Sequence, residues 1–520
     1  MKHHPVSNFV AKQFLIALAA AWALAPPAAG ADPLAGLDEY VEAAREKWGV
    51  PAVALAVVKD GQVVLVRGYG TRAAGASERV NGQTVFRLAS ITKTFTAATV
   101  ALLVDEGKLA WDDPVRKHLP EFELREAYLT ENTTLRDLLC HRVGLETGDI
   151  LARRGDLSRD EILSRLKYLQ PHSPFRGKFK YNNLMYVAAG EAASRVSGDS
   201  WEDRVTRRLL KPLGMRSTSA NFAGLRQLPG TPVAIATAYR VHDGMLQPVT
   251  MAPQIDAVAA AGSMHSTAED MAQWLKFWLA EGQANGQRLL KQATVREMLA
   301  MHSTVPVTRR DNGNIYAARF YGWGLGWSVL DYRGRKLHTH AGASGTFIGF
   351  VPEENIGVVA LTNLEFTNLG GMLMYDVLDA YWLGPQRAWS REQWPAWLAS
   401  DEPPEITGDK ARAKREQARR AGTHPTVPLL SLAGTYRCDL YGEIKVLPRD
   451  GQLTLRLGAN PAVQLEHWQD DVFIAPSPEA DAPWFDWLIQ FRAAGGKCDS
   501  LDIERLGWDE PMPTFHRAPK

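Results

Sequence analysis

Phe86-Arg87-Leu88-Ala89-Ser90-Ile91-Thr92-Lys93 decides the reading of this chain: it puts a serine where a helix begins and a lysine one turn further on. Ala97, Ala98, Val100, Ala101 and Leu102 continue it as a helix with a buried body. Positions three apart share a helix face, so the Lys93 amine can approach the Ser90 hydroxyl. A serine is a poor nucleophile at neutral pH until a base takes its proton, and a lysine can be that base when burial lowers its pKa. The helix N-terminus adds N–H groups and a positive dipole end where an oxyanion would develop. A lone Ser-x-x-Lys is a chance-level pattern in 520 residues, so it needs partners.

Two other stretches could supply them. Tyr181-Asn182-Asn183 follows Pro174, Gly177 and Phe179 and precedes an apolar helix, Leu184 to Val196. A phenol beside an ammonium can act as a general base, and the Asn183 amide could orient Lys93 and hydrogen-bond a substrate carbonyl. Read alone, this is an ordinary helix start with a capping asparagine. His340-Ala341-Gly342-Ala343-Ser344-Gly345 closes one strand and enters another. Its small residues would let substrate lie against the strand edge, with the Ala343 N–H as a second oxyanion donor, whereas a lone histidine is usually structural.

In this order, about 90 and then about 160 residues apart, the three stretches are improbable by chance. Here the sequence resembles the serine hydrolases of the class C β-lactamase and penicillin-binding-protein type (peptidase S12), with their D-aminopeptidase and family VIII esterase relatives. The resemblance covers Leu34 to Gly384 and includes Glu106-Gly107-Lys108-Leu109, Leu138-Leu139-Cys140-His141, Pro212-Leu213-Gly214-Met215 and Ser266-Thr267-Ala268-Glu269-Asp270-Met271. These are scaffold marks, and His141 reads as a satisfied turn histidine. The resemblance implies Ser90 as acylated nucleophile and Lys93 and Tyr181 as the general base and acid. It makes Asn183, His340, Gly342 and Ala343 substrate-binding positions, with no metal and no cofactor. It also implies one departure. The β-lactamases usually carry Lys-Thr-Gly where this chain has His340-Ala341-Gly342, and a neutral histidine is a weak substitute for an ammonium that pairs with a substrate carboxylate. β-Lactamase activity is therefore expected to be weak or absent.

The rest of the pattern bears on organisation. Asp38 to Trp48 reads as an amphipathic helix, and Val53 to Val58 with Val63 to Tyr69 flank Asp60-Gly61, a type I′ hairpin signal. Helical patterns dominate from Ala89 to Glu281, and strands return at 324–330, 336–340, 347–351 and 357–362 before a closing helix over 369–382. This predicts an α/β (α+β) fold: one antiparallel sheet built from both chain ends and flanked by helices, plus a helical subdomain. Residues 32–384 form this domain, 385–428 read as a linker, and 429–520 carry six short strand patterns of a small β-barrel. That last part resembles the lipocalin-like barrel of some D-aminopeptidases.

Composition excludes several functions. Lys+Arg 59 against Asp+Glu 58 gives a net charge of +1, which offers no general attraction to nucleic acid or anionic membranes. The basic run Lys410 to Arg420 reads as a solvated helix face. Lys2 and Lys12, the apolar run Phe14 to Ala25 and Ala29-Gly30-Ala31 form a signal-peptide pattern over 1–31, or else an uncleaved anchor. The expected location is secreted or periplasmic, with no later membrane span. Cys438 and Cys498 could be a disulfide or two buried thiols. Trp323 and Trp327 are expected to pack in the core rather than wall a pocket, and Arg154-Gly155-Asp156 is a chance-level pattern. No Gly-x-Ser-x-Gly elbow is present, which argues against an α/β-hydrolase. The expected function is cleavage of peptide amides through an acyl-enzyme. The alternatives are a carboxylesterase using the same machinery and a non-catalytic binder of peptidoglycan-type ligands. The partner is in each case a small peptide or ester, and the oligomeric state is left open.

Overall fold

A computed structural model describes residues 32–228, 234–242, 244–249, 253–307, 318–389, 407–477, 486–506, 510 and 512–519. The signal-peptide pattern lies outside them. The central sheet has eight antiparallel strands: β1 (Ala52–Lys59), β2 (Gln62–Gly70), β3 (Ser303–Thr304), β4 (Tyr321–Trp323), β5 (Ser328–Tyr332), β6 (Arg335–Ala341), β7 (Phe347–Val351) and β8 (Ile356–Thr362). Their order is β2-β1-β8-β7-β6-β5-β4-β3, so the chain's two ends meet where β1 pairs with β8, Val53 opposite Thr362. Asp60 and Gly61 turn β1 into β2 with φ of 50° and 74°, the two left-handed residues a type I′ turn requires. Every residue of β1 before Lys59 is buried, because both faces of the sheet are covered.

Alternation sorts those side chains. Val53, Leu55 and Val57 face a core shared with helices α1 (Leu37–Lys47) and α5 (Leu369–Leu383). Ala54, Ala56 and Val58 face the other core. That second core holds helices α2 (Thr92–Asp105), α3 (Asn183–Ser197) and α4 (Ala268–Leu279). Helix α2 is buried on almost every side, and its threonines are satisfied internally. Thr96 Oγ1 donates to the Ala260 carbonyl at 2.6 Å, and Thr94 Oγ1 accepts from Trp274 Nε1 of α4 at 3.1 Å. The sheet is therefore a rigid wall, and α2 is a fixed rod carrying the Ser-x-x-Lys turn at its head.

The C-terminal part is a closed eight-stranded antiparallel barrel in sequential order: β9 (Gly434–Cys438), β10 (Gly442–Arg449), β11 (Gln452–Leu457), β12 (Val463–Gln469), β13 (Val472–Pro476), β14 (Asp486–Ala494), β15 (Lys497–Arg505) and β16 (Phe515–Arg517). Six of the eight were legible in the sequence; β12, with mostly polar residues, and the three-residue β16 were not. Cys140, Cys438 and Cys498 are all free and buried.

The stretch expected as a linker is packed at both of its described ends. Trp389 stacks on Tyr40 of α1 at 4.8 Å and donates Nε1–H to the Ala35 carbonyl at 2.9 Å. Helix α6 (Thr407–Gln417) lies along the barrel wall, where Arg412 pairs with Asp486 at 3.0 Å, Arg415 pairs with Glu504, and Ala411 meets the cluster of Trp468, Ile474, Leu488 and Leu506. The basic run is thus a helix that touches the barrel through Ala411 and Arg412, while Ala413 to Arg420 are exposed, as a solvated face would be. Arg154-Gly155-Asp156 also has a role that its reading missed. Arg154 is buried and donates Nη1–H to the Tyr441 and Glu443 carbonyls at 2.6 and 2.7 Å, which ties the barrel to the helical region.

Candidate active site

Ser90 sits in a 3-10 turn, Ala89–Ile91, that runs directly into α2. Ala89 before it is left-handed (φ 47°), strain of the order of 1 kcal/mol that recurs at functional turns. Lys93 is fully buried, and its Nζ donates to Ser90 Oγ at 3.1 Å and to the Ala261 carbonyl at 2.6 Å. Burial lowers its pKa from 10.5 to about 7, with the Asp149 carboxylate opposing the shift. Lys93 Nζ lies 5.0 Å from the centre of the Tyr181 ring. Burial raises the pKa of the Tyr181 phenol, and a hydrogen bond with Ser90 opposes that rise. The amine beside Ser90 is therefore the more readily available base at neutral pH.

The two asparagines divide their work differently from the sequence reading. Asn182 caps α3, accepting from Leu184 N at 2.8 Å and Met185 N at 3.2 Å. Asn183 donates Nδ2–H to Asp149 Oδ1 at 2.9 Å instead of touching Lys93. Any effect of Asn183 on Lys93 runs through the Asp149 charge. No spacing rule marks Asp149 in the sequence; it enters from the short helix Asp149–Arg153, brought against α3 by the fold.

His340 closes β6 with its Nδ1 2.7 Å from the Gly326 carbonyl. A carbonyl only accepts, so Nδ1 carries the proton and Nε2 has a free lone pair. Burial, with the Lys93 charge behind it, lowers the His340 pKa to about 3, so the ring is neutral. Two glycines permit this geometry. Gly326 is left-handed (φ 89°), and a Cβ there would lie 2.8 Å from Ala97 Cβ of α2. A Cβ on Gly342 would come within 2.3 Å of the Leu88 carbonyl, just ahead of Ser90. Gly342 N–H donates to the Thr346 carbonyl at 2.7 Å and Phe366 N–H to the Ala343 carbonyl at 2.8 Å, pinning the chain on both sides of the Ala343 N–H.

Ser90, Tyr181, His340, Gly342 and Ala343 line one cleft of about 650 Å³; Lys93 lies under its floor and Asn183 outside it. The other walls include Val305, Tyr321, Trp323, Phe347 and Phe366, and none of the described lining residues is Lys, Arg, Asp or Glu. Trp327 packs in the core against Trp278 and Phe350, as expected. Trp323 is also buried in the core and in addition walls the cleft, its ring 5.9 Å from that of Tyr181 and 5.2 Å from that of His340. The barrel also reaches this region: Glu510 pairs with Lys180 at 2.5 Å and accepts from Thr147 Oγ1 at 2.8 Å.

This arrangement is that of a serine hydrolase of the beta-lactamase and penicillin-binding-protein type. Residues 37–379 match the beta-lactamase family, and the chain belongs to that family. Residues 418–517 match a domain of unknown function, DUF3471. The chain is 27% identical over 450 residues to the unguisins hydrolase ungD' of Aspergillus campestris, covering 80% of this chain and 78% of that protein. It is also 27% identical over 338 residues to protein flp of Staphylococcus aureus, covering 63% of each. The fold is similar to an octameric penicillin-binding protein homologue from Pyrococcus abyssi (TM-score 0.56, 21% identity, 90% of this chain and 98% of that one). It is also similar to EstCE1, a hydrolase with promiscuous acyltransferase activity (TM-score 0.56, 20% identity, 67% and 98%).

Proposed function

We propose that the chain hydrolyses uncharged peptide amides through an acyl-enzyme on Ser90. The observation that carries this is the 3.1 Å contact between Ser90 Oγ and a fully buried Lys93 whose pKa is lowered to about 7. In the first half-reaction the neutral Lys93 amine takes the Ser90 proton as Oγ attacks the substrate carbonyl. The N–H groups of Ser90 and Ala343 receive the oxyanion, and Tyr181 passes a proton to the departing amine. Water then attacks the ester and gives its proton to the Tyr181 phenolate, while the Lys93 ammonium returns its proton to Ser90 Oγ, which leaves as the free serine as the acid product departs. The uncharged cleft argues for bonds flanked by apolar groups and against a free terminal carboxylate, which would find no cation among the described lining residues. Similarity to a protein named a hydrolase over 80% of this chain supports an enzyme over a binder. The same wall suits apolar esters, and this favours carboxylesterase as the second reading.

Intact-protein mass spectrometry after a fluorophosphonate probe tests the core of the proposal. One adduct on the parent and none on Ser90→Ala is expected; an adduct that survives Ser90→Ala would refute it. Rates on aminoacyl p-nitroanilides against short p-nitrophenyl esters then separate amidase from esterase. We further propose export, for which N-terminal sequencing of the expressed protein should begin at Asp32.

A further inference from the structure

We propose that His141 is the positioning residue for Tyr181, holding the phenol in register with Ser90 by clamping the backbone on both sides of it. The inference rests on the acyl-enzyme reading. His141 follows the short helix Leu135–Leu139 in a left-handed conformation (φ 57°), which turns its carbonyl and its ring towards the same neighbouring segment. The carbonyl accepts from Lys180 N at 2.8 Å. The ring Nδ1 accepts from Asn182 N at 3.2 Å. Between these two anchors lies Tyr181, whose ring centre is 4.3 Å from that of His141 at a 33° tilt. One residue therefore anchors the N–H of the residue before Tyr181, the N–H of the residue after it and the face of its ring.

Only imidazole meets both side-chain demands at this position. Asparagine would supply the acceptor without the ring, and phenylalanine the ring without the acceptor. Because a backbone N–H only donates, His141 Nδ1 must be unprotonated. Burial and the neighbouring charge of Lys93 hold the His141 pKa well below its usual 6.5, so that lone pair persists through the neutral range. His141 is fully buried and does not line the cleft, so it acts through Tyr181 and not on substrate. Register matters here because a misplacement of about 1 Å at a reacting group can cost about 100-fold in rate.

Three substitutions separate the parts. Glycine at 141 removes the side chain and tolerates the left-handed backbone; asparagine tolerates it nearly as well and keeps an acceptor; phenylalanine keeps the ring alone. We expect His141→Gly and His141→Phe to lower kcat at least about tenfold with KM within about threefold, and His141→Asn to recover most of kcat. Melting curves on the same preparations confirm that each is folded; should the glycine variant not fold, the asparagine and phenylalanine pair decides. Parent kcat in His141→Phe, or equal loss in the asparagine and phenylalanine variants, would overturn the clamp. Fluorophosphonate labelling of the parent runs alongside: absence of a Ser90 adduct there would sink the acyl-enzyme reading itself, whereas labelling of the parent with unchanged rates in all three variants would sink only the role of His141.

Discussion

Protonation of Lys93 should set the rate of acylation across the neutral range, and the structure says in which direction. Burial lowers this amine to about 7, so at pH 6 about one molecule in ten carries the neutral base and at pH 8 about nine in ten. For any substrate that acylates Ser90, kcat/KM should rise about tenfold per pH unit below 7 and level off above it. The neighbouring groups leave that window clear, because His340 is lowered to about 3, His141 lies well below its usual value and Tyr181 lies above its own. Asp149 supplies an internal control. Its carboxylate favours the charged lysine, so Asp149→Asn should remove that support while retaining an acceptor for Asn183. The inflection should then move to lower pH by about one unit, the low end of what a nearby opposite charge does. The assay is hydrolysis of one p-nitrophenyl ester from pH 5 to 9 at constant ionic strength, with stopped-flow acylation bursts to separate acylation from deacylation. A parent profile flat through pH 7, or an Asp149→Asn inflection that stays put or moves upward, would refute the assignment of Lys93 as the base.

Three further outcomes are expected. Lys93→Met should abolish turnover yet stabilise the fold at pH 7. Burying the ammonium costs up to about 5 kcal/mol at 1.36 kcal/mol per pKa unit, against about 1–3 kcal/mol for leaving the Ala261 carbonyl unpartnered. Because the folded pKa is depressed, the parent gains stability as pH rises from 7 towards 10.5, so the variant's advantage should shrink over that range; denaturant melts at pH 7 and pH 9.5 check this. Gly342→Ala should lower kcat/KM at least about tenfold in the ester assay, since its Cβ would lie 2.3 Å from the Leu88 carbonyl and push the strand end from Ser90. Arg154→Ala leaves the Tyr441 carbonyl, buried in this contact, without its donor, about 1–3 kcal/mol, and the part-buried Glu443 carbonyl with it, so limited proteolysis should release the barrel faster than in the parent.

What the sequence disclosed and what it hid divide along physical lines. The Asp60-Gly61 hairpin, the strand alternation and the buried body of α2 are local patterns, and each appears in the structure close to where the pattern put it. The stretches that meet at the candidate site were legible because Ser90 and Lys93 share one helix turn, and because Tyr181 and His340 sit beside a helix start and a strand end. Asp149 was not legible, since its only mark is a contact with Asn183 made across the fold. Glu510 was hidden for the same reason: a barrel residue reaches Lys180 330 positions away in the chain. The helix over Thr407–Gln417 is solvated over Ala413 to Gln417, as its charge suggested, but its contact with the barrel through Arg412 and Asp486 left no mark in the sequence. Trp323 belongs to the core, as expected, but the sequence carries no sign that it also lines the cleft.

The surroundings of position 340 suit the neutral His340 better than an ammonium. His340 is buried, feels the charge of Lys93 and has Trp323 5.2 Å from its ring. A second ammonium there would lose its hydration and be repelled by the charged form of Lys93. It would also depress the Lys93 pKa further, weakening the amine as a base. A neutral imidazole avoids both effects and makes one hydrogen bond, to the Gly326 carbonyl. The consequence reaches the substrate. With His340 uncharged and no Lys or Arg among the described lining residues, those residues offer a substrate carboxylate no counter-charge. An apolar, uncharged group instead gains from contact with Val305, Tyr321, Phe347 and Phe366, about 25 cal/mol for each Å² removed from water. The residue that separates this chain from the β-lactamase pattern and the described cleft walls therefore both support the proposed preference for uncharged substrates.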